Sequence, residues 1–597
     1  MTILQALNRY YERLPDVAEE GWSQEKFGWC IVLSPEGEAI DVMDLHDNSG
    51  KKPKPTLRTV PAAIKRTVAI APNFLWDKSA YVLGRTAGEG KRTADEHAAF
   101  VALHLERLAG QEDAGLVALC RFLERWRPEQ FEALPHVDAD MLDANVMFRF
   151  QGDLEFLHER PAARALVAAA RAPKEDQSGG VCLVNGTVGP VVRLHPTIKG
   201  VEGGQSSGAA LVSFNLDAFT SLGKEQGDNA PTGEAAAFRY GAALNKLLQR
   251  DSRNRLARPI GDATVVFWAD ARDAKAADDF MGFMLDPDAL RITDEAEVAL
   301  IRRQVEQVAA GRPLAELRAG IAEGTQFHVL GLSPNAARIS VRFWLSDTLE
   351  HFARRLAEHY QDMRIDPLPR TWGAAPSVRR LLAETVAAQR DAKNIPPLLA
   401  GEVMRAVLTG NAYPQSLLAA VLMRLRAGDS AASGWHAAVA RGVLVRHPAY
   451  VSASGEPPMS LQRDYQEPGY QLGRLFAVYE LAQRAALGRV NASIRDKYFG
   501  AASATPASVF PIIVRGGQNH LAKVRKEKPG WATLIERELE EIHGHLDPEL
   551  PRSLSLQKQG AFAIGYYHQR ATKLSSDKVG ELDPVMLIDS DETEGEA

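Results

Sequence analysis

The chain has few cysteines and no long apolar run, and both absences narrow its class. Its 597 residues contain only Cys30, Cys120 and Cys182, which are too few and too widely spaced for a disulfide framework or a zinc knuckle. No stretch of about 20 apolar residues occurs, so we expect no membrane-spanning helix. The first residues lack the basic and apolar regions of a secretory signal. These features predict a cytoplasmic protein with no membrane partner.

A strong net charge is also lacking. The formal charge is −6, so any nucleic-acid-binding surface must be local and cannot be a property of the whole molecule. With 45% hydrophobic and 24% charged residues, the composition is typical of a globular protein, and the length is enough for two to four domains.

The motifs of common enzymes fail when their contexts are checked. A phosphate-binding loop around Gly90-Lys91 would need a glycine at Arg85 and a serine or threonine at Arg92. Residues 204–208 match G-x-S-x-G around Ser206, but a nucleophile elbow needs a helix after the serine, and the following ALVSFN is typical of a strand. The histidines lack the spacing of a zinc helix. We therefore expect no catalytic centre, no metal and no cofactor, with a serine hydrolase using Ser206 as the alternative.

Helix and strand patterns alternate over the first 345 residues, and helical patterns alone follow. The predicted fold class is α+β, with a mixed α/β N-terminal region followed by an all-α C-terminal helical bundle. Turn sequences predict hairpins at SPEG (34–37), at Asn185-Gly186 and at Ser333–Asn335. The predicted domains are 1–175 (α+β, with a basic arm), 176–345 (β-rich α+β), 346–458 (helical region), 459–580 (helical bundle) and 581–597 (an acidic tail expected to be disordered).

The basic arm is a stretch without acidic residues between positions 51 and 66. Its basic residues are Lys51, Lys52, Lys54, Arg58, Lys65 and Arg66. Three prolines in the same stretch argue against a regular element. The arm is either a solvated loop or a phosphate-contacting segment.

Amide and hydroxyl side chains are concentrated among the glycines of residues 203–229. The candidates for base contacts are Gln205, Ser206, Ser207, Asn215, Gln226 and Asn229. Asn and Gln can pair with adenine edges, and glycine lets a backbone approach a ligand closely, although the same residues also build ordinary turns.

Two arginines are candidates for phosphate contact on a predicted strand. Arg338 and Arg342 would share one strand face, with Ile339, Val341 and Phe343 facing the core. The alternative is a solvated sheet face.

Several long segments resemble, in the same order, the large subunit of the type I-C CRISPR surveillance complex (Cascade). The segments run from residue 3 to residue 570 and are ILQALNRYYERL, PNFLWDKSAYVLG, LHPTIKGVEGGQSSGAALVSFNLDAFTSLGKEQGDNAP, VLGLSPNAARISVRFW, GYQLGRLFAVYELAQRAALGRVNASIRDKYFGAAS and QKQGAFAIGYYHQR. One departure is Leu222, where an aromatic residue would be expected.

The resemblance implies a non-catalytic, DNA-binding role in antiviral defence. Such a subunit joins a guide RNA and backbone subunits, recognises the protospacer-adjacent motif in duplex DNA, supports R-loop formation and helps to recruit a helicase–nuclease. It implies Asn73 as a base-edge reader. Lys78 is a candidate phosphate contact by its charge and its position near the basic arm, and Lys199 is a further candidate for DNA binding. A purely structural scaffold subunit is the remaining alternative.

The resemblance also implies a function for the C-terminal bundle. The bundle resembles a small subunit that can be translated separately, and Met459 is a plausible start. Residues 469–575 hold 15 lysines and arginines against 9 acids. Basic faces there would follow the displaced strand, with the candidates Arg474, Arg495, Lys497, Lys523, Arg525 and Lys526. The alternative is a set of solvated helix faces.

Overall fold

The computed structural model describes the chain except residues 15–18, 50–52, 65, 67–69, 171–179, 215, 288–294, 318–319, 370, 374, 388–393, 489, 577–579 and 583–597. The chain folds into two compact units. The N-terminal unit consists of Thr2–Pro196 and Phe214–Ala243, and the C-terminal unit consists of Met1, Thr197–Ser213 and Leu244–Ala597.

The fold is α+β. The helices are Ile3–Tyr11 (α1), Ser79–Val82 (α2), Thr93–Arg107 (α3), Ala114–Arg125 (α4), Pro161–Ala169 (α5), Glu234–Leu247 (α6), Lys275–Leu285 (α7), Glu295–Ala309 (α8), Leu314–Leu317 (α9), Leu349–Met363 (α10), Val378–Ala383 (α11), Pro397–Thr409 (α12), Gln415–Arg426 (α13), Trp435–Val445 (α14), Pro448–Ser454 (α15), Pro468–Leu487 (α16), Ile494–Ala504 (α17), Pro506–Glu527 (α18), Pro529–His543 (α19) and Leu556–Ala571 (α20). Short 3₁₀ helices form at Pro128–Ala133, Ala139–Met141, Leu157–Glu159, Asp217–Phe219 and Gln226–Asn229.

The strands are shorter on average than the helices. They are Trp22–Phe27 (β1), Trp29–Leu33 (β2), Ala39–Asp44 (β3), His46–Asp47 (β4), Lys54–Pro61 (β5), Trp76–Lys78 (β6), Asn145–Phe150 (β7), Gly180–Val181 (β8), Val188–Gly189 (β9), Thr197–Ile198 (β10), Ala209–Ala210 (β11), Thr264–Ala269 (β12), Gln326–Asn335 (β13), Arg338–Thr348 (β14), Leu574–Ser576 (β15) and Gly580–Leu582 (β16). The hairpins predicted at SPEG and at Asn185-Gly186 are confirmed as β2–β3 and β8–β9.

The N-terminal unit is built on a four-stranded sheet in the order β3-β2-β7-β6. Strand β2 reads WCIVL and is buried along its whole length, because its alternate side chains enter two different cores. Ile31 packs with α3 and α4 on one face, and Cys30 packs on the other with residues that include Phe27 and Trp76. A second, antiparallel sheet has the order β1-β5-β4.

The C-terminal unit contains a five-stranded sheet in the order β10-β11-β14-β13-β12. Aromatic side chains of the long β13–β14 hairpin and of β12, including Phe267, Phe327 and Phe343, belong to the same core as α7 and α10. The hairpin turn lies between Asn335 and Arg338, two residues later than the sequence predicted, with Ala336 at a φ of 52°.

One apolar core continues from this sheet through the helices to the end of α20. Leu418 of α13 and Leu444 of α14 approach Gly560 closely, and Tyr567 donates a hydrogen bond to the carbonyl of Pro367 over 2.7 Å. The backbone of Met459 accepts a hydrogen bond from the Asp366 amide over 2.7 Å. One apolar core therefore includes residues on both sides of positions 345/346 and 458/459.

Candidate nucleic-acid interface

The segment PNFLWDKSAYVLG forms a sharp corner that is clamped from a distant helix. Leu75 has a φ of 66°, a left-handed conformation that is costly for a residue with a Cβ. Its N–H donates a hydrogen bond to Nε2 of His104 on α3 over 2.8 Å, and Nδ1 of His104 donates to the carbonyl of Phe100 over 2.7 Å. This arrangement requires a neutral imidazole, and burial lowers the pKa of His104 to about 4.

Asp77 is the second clamp of the corner. Its buried carboxylate accepts hydrogen bonds from the backbone N–H groups of Asn73 and Lys78, each over 2.8 Å, and from the guanidinium of Arg66. The Arg66 guanidinium also lies 4.0 Å from the ring centroid of Tyr81. Arg66 is thus an internal ion-pair residue, a function that its place in the basic arm did not predict.

Asn73 is buried inside the corner and does not lie on its surface. Its side chain is only 4% exposed, and its Oδ1 atom accepts a hydrogen bond from the Ile64 N–H over 2.9 Å. In this conformation that oxygen holds the loop before the corner and faces no solvent, so base reading by Asn73 would require the loop to release it. Lys78, by contrast, is exposed at the start of α2.

Most of the basic arm that the structure describes is a strand, so the expectation of an irregular segment is wrong. Strand β5 pairs with β1 from Thr56 to Pro61, and the prolines lie at or beyond the ends of this pairing, where their missing N–H groups break no internal bond. Lys54 is exposed, whereas the Arg58 guanidinium lies 5.4 Å from the ring centroid of Phe156 and is partly covered. The predictions for Lys51, Lys52 and Lys65 concern residues outside the described ranges.

The glycine-rich loop 203–208 belongs to the C-terminal unit and exposes its polar residues. Gly208 has a φ of 86°, and a Cβ there would lie 2.5 Å from a side-chain atom of Thr197, so the turn requires glycine. The side chains of Gln205, Ser206 and Ser207 all face solvent. Strand β11 follows the loop, and no helix follows Ser206 directly, so the nucleophile-elbow context is absent among these described residues.

The same unit brings this loop beside the tip of the β13–β14 hairpin. Ala210 pairs with Arg338 in parallel, and a Cβ on Gly203 would lie 3.5 Å from Pro334. Lys199 is exposed just before the loop, and its backbone N–H is held by the Asn245 side chain over 2.7 Å. The structure thus brings together Lys199, Gln205, Ser206, Ser207 and Arg338, a group we call the loop–hairpin surface.

Arg342 does not belong to the loop–hairpin surface. The pairing register shifts between Gly331 and Leu332, so that Gly331 faces Phe343, Leu332 faces Val341, and Arg342 occupies a β-bulge. The bulge reverses the alternation, which is why Val341 is exposed and why the expectation that it faces the core is wrong. Arg342 itself pairs with Asp262, with an Nη2–Oδ2 distance of 2.5 Å.

Gln226 and Asn229 organise their own loop in the N-terminal unit. Gln226 accepts a hydrogen bond from Arg193 Nε over 2.6 Å. Asn229 accepts from the Ser221 N–H and donates to the carbonyls of Lys224 and Gln226. Both side-chain groups of Asn229 and the side-chain oxygen of Gln226 are therefore already engaged. The prediction for Asn215 concerns a residue outside the described ranges.

The six basic candidates of the helical bundle differ in exposure. Arg474 is fully buried, so its assignment to a solvent-facing basic surface is wrong: its guanidinium lies between Glu538 and Glu541, with an Nη2–Oε2 distance of 2.5 Å to Glu541. Arg525 pairs with Glu536 over 2.5 Å. Arg495 is three-quarters covered.

The three lysines among the six candidates lie on the surface. Lys497 lies on α17, and Lys523 and Lys526 lie on α18. The Lys523 ammonium is 4.0 Å from the Glu527 carboxylate, a loose surface pair that contributes little. These three side chains can reach a phosphate backbone without breaking internal structure.

In the described ranges no group of three or more His, Cys, Asp or Glu side chains is placed to hold a metal ion. No helix of the described chain is long and apolar enough to span a bilayer.

Sequence reasoning missed the two clamps of the corner, Asp77 with Arg66 and His104 with Leu75. The sequence does contain a signal for the first clamp. Asp77 directly follows the aromatic residue Trp76, and Arg66 of the basic arm lies close enough in sequence to pair with it. No local signal identifies the second, since 29 residues separate its members.

Comparison with known proteins places the chain in a family. No curated protein matches it. The profile of the family described as CRISPR-associated protein (Cas_Csd1) matches residues 7–573, which is nearly the whole chain. The chain therefore belongs to the Cas_Csd1 family of CRISPR-associated proteins.

Proposed function

We propose that this protein is the non-catalytic large subunit of a type I-C CRISPR surveillance complex (Cascade), acting in the cytoplasm. It recognises the protospacer-adjacent motif in target duplex DNA, supports R-loop formation and helps to recruit a helicase–nuclease. Family membership supports a component of a CRISPR effector complex. The observation that carries the DNA-binding part is the loop–hairpin surface.

The loop–hairpin surface combines the two kinds of contact that DNA recognition needs. Gln205, Ser206 and Ser207 present amide and hydroxyl groups that can meet base edges, while Lys199 and Arg338 supply positive charge for phosphates. The left-handed Gly208 fixes the loop against β10, so these side chains are presented on a braced turn. A braced loop loses less conformational entropy on binding than a free one.

Motif binding by the assembled complex tests this proposal. Gln205→Ala should weaken binding to duplexes with the correct motif by about 1–3 kcal/mol. It should also reduce the difference in affinity between duplexes with the correct motif and duplexes with altered motifs. Lys78→Ala should weaken binding to all duplexes equally and lower the slope of log affinity against log salt by about 1. Lys91→Ala removes an exposed lysine outside the proposed surfaces and is the matched control.

The alternatives make different predictions. A purely structural scaffold would bind all motif variants alike, and Gln205→Ala would change nothing. A hydrolase using Ser206 would be labelled by an activity-based serine probe, and Ser206→Ala would abolish the labelling. A strand and not a helix follows Ser206, which argues against a nucleophile elbow and therefore against an activated serine.

The small-subunit proposal concerns the last helices. We propose that a fragment beginning near Met459 is also produced by internal translation. Replacing the Met459 codon by CTC, which gives Met459→Leu and cannot start translation, should abolish the short product, and persistence of that product would exclude this start.

A further inference from the structure

Helix α18 of the C-terminal unit exposes a continuous line of side chains to solvent. Its buried residues, including Phe510, Ile513 and Leu521, belong to the core of the unit. On the opposite face, spacings of three and four residues bring side chains into one line along the helix, because 3.6 residues complete a turn. The exposed residues of this line, which we call the α18 stripe, are Ile512, Arg515, Asn519, Lys523 and Lys526.

The α18 stripe is positively charged. Glu527 is the only acid in α18, and its carboxylate lies 4.0 Å from the Lys523 ammonium. Arg515 and Lys526 therefore add two positive charges that no acid of their own helix balances.

The acids of the two helices beside α18 do not cancel this charge. Most of them are paired with other bases: Asp496 of α17 with Arg495, Glu536 of α19 with Arg525, and Glu538 and Glu541 of α19 with both Arg463 and Arg474. Glu540 is exposed on α19 together with Arg537, and these two charges offset one another. The stripe therefore attracts a negatively charged occupant.

One end of the stripe is apolar. Ile512 is 54% exposed at the N-terminal end of the stripe, before the three basic side chains. The distance from Ile512 to Lys526 along the helix axis is about 21 Å. An occupant that matches the stripe therefore carries apolar groups first and acidic groups over the next 20 Å or so.

The chain itself contains such a sequence after its last described residue. Residues 583–597 read DPVMLIDSDETEGEA and contain no Lys, Arg or His. The four apolar residues 585–588 come first, and five acids follow between residues 589 and 596. In an extended chain Leu587 and Glu594 are about 23 Å apart, close to the length of the stripe. The order of the groups and their span both match the stripe.

This segment begins within reach of the stripe. Leu582 of β16 pairs with Leu574 of β15, and Leu574 is buried. Strand β15 packs against α19, and α19 packs against α18. The 15 residues after Leu582 can extend over about 50 Å, whereas the whole of α18 is about 33 Å long. The segment can therefore cover the stripe from a starting point one helix away.

We propose that residues 585–596 of this chain dock on the α18 stripe and occupy it until single-stranded DNA displaces them. The apolar residues of the segment cover Ile512, and the acids that follow pair with Arg515, Lys523 and Lys526. Because the segment is tethered to the same unit, it competes at a high effective concentration. This competition rests on the proposed contact of Lys523 and Lys526 with the displaced strand, whereas the docking does not.

Carbodiimide crosslinking of the full chain without nucleic acid tests the docking. The reagent joins carboxylates to lysine amines that lie in contact, and mass spectrometry locates the resulting amides. Links from residues 589–596 to Lys523 and Lys526 should be about 5-fold or more as frequent as links to Lys275, an exposed lysine of the same unit. Equal linking to Lys275 would overturn the docking. Links between an isotopically labelled and an unlabelled chain would identify a second copy as the source of the segment and would also overturn it.

A variant at the apolar end of the stripe tests the order of the groups. Ile512→Asp keeps both lysines but places a negative charge against the segment, so it should reduce their links about 5-fold. Leu398→Asp, which changes an exposed leucine of the same unit, should leave the links unchanged. Unchanged links in Ile512→Asp would overturn docking in the proposed order.

Fluorescence anisotropy with a labelled single strand of DNA tests the competition. A chain with a neutralised segment should bind the strand about 10-fold more tightly at about 50 mM salt, and the gain should shrink at higher salt because the charge pairs are screened. Its substitutions are Asp589→Asn, Asp591→Asn, Glu592→Gln, Glu594→Gln and Glu596→Gln.

The matched control makes the same change of net charge at exposed acids elsewhere in the unit. Its substitutions are Asp251→Asn, Asp273→Asn, Glu323→Gln, Glu402→Gln and Glu549→Gln. An equal gain in the control would show an effect of net charge alone and would overturn the competition. If neither the wild-type nor the neutralised chain binds the strand, the proposed strand contact fails, and the crosslinks by themselves decide the docking.

Discussion

The backbone N–H of Leu75 donates a hydrogen bond over 2.8 Å to Nε2 of His104, a residue 29 positions away on α3. The bond holds Leu75 in a left-handed conformation, and the second ring nitrogen of His104 is anchored to its own helix. A neutral, fully buried histidine therefore fixes the corner that carries Asn73, Asp77 and Lys78.

Removing the acceptor should destabilise the corner. His104→Leu leaves the buried Leu75 N–H without an acceptor, which costs about 1–3 kcal/mol. His104→Gln, whose Oε1 can accept this bond, should recover part of the loss. The check is the melting temperature of the three proteins, with limited proteolysis around residues 62–76 as a local measure.

The matched control for this prediction is His136→Leu. The His136 side chain is 82% exposed in the same unit and its contact with Asp41 is a surface pair, so its replacement should change the unfolding free energy by about 1 kcal/mol or less. An unchanged melting temperature for His104→Leu would show that the clamp does not hold the corner.

Stability should fall as the pH drops below about 6.5. Burial lowers the pKa of four histidines, to about 4 for His104 and His158 and to about 3 for His359 and His568. A lowered folded pKa means that the unfolded chain binds more protons between these values and the ordinary pKa, so protonation favours unfolding. The stability is complete above about pH 6.5 and is lost progressively toward the folded pKa values.

The slope of this loss identifies the contribution of each histidine. One such group contributes up to ~1.4 kcal/mol per pH unit. Thermal melting at a fixed scan rate from about pH 7.5 to about pH 5 gives the profile of stability against pH. His104→Gln should reduce the slope of this profile by the contribution of one histidine. A profile for His104→Gln parallel to that of the wild type would contradict protonation of His104 as a cause.

Arg474 should be a stability residue and not a strand contact. Its guanidinium is enclosed by Glu538, Glu541 and Gln569 on α19 and α20. Arg474→Met leaves the two carboxylates paired only with the partly exposed Arg463 and leaves the buried Gln569 oxygen without its donor, so it should destabilise by about 1–3 kcal/mol. Chemical denaturation monitored by circular dichroism checks this, with Lys526→Met as the exposed control.

Lys497 and Lys526 should contact single-stranded DNA if the proposed function holds. Replacing either by alanine should lower the slope of log affinity against log salt by about 0.7, the value for one phosphate contact on a single strand. Fluorescence anisotropy with a labelled single strand at several salt concentrations gives the slope. Equal slopes for both variants, the Lys91→Ala control and the wild type would show that these faces are only solvated.

Local patterns predicted much of the fold. The α+β class is confirmed, as are the hairpin around Asn185-Gly186 and the succession of helices after β14. Each depends on the periodicity of a short segment or on the φ that a glycine or proline permits, and these are properties of neighbouring residues.

The candidate site was predictable only in part. The loop 203–208 was found because its glycines and amides are concentrated in one segment, and the structure exposes them as expected. The sequence could not predict that Arg342 and Arg474 form ion pairs within the fold. The local pattern around a charged residue does not show which distant residue will be its partner. Asp262 is 80 residues from Arg342, and Glu541 is 67 residues from Arg474.

The sequence alone determined the elements, the family resemblance and the segments rich in base-contacting side chains, because these are written in residue order. The tertiary structure decided which polar groups remain free for a partner. The bulge at Arg342, the burial of Asn73 and the ion pairs of Arg66 and Arg474 all depend on groups brought together from distant positions. A hydrogen-bonding group satisfied inside the fold cannot serve a ligand without a cost, and only the packed chain shows which groups are satisfied.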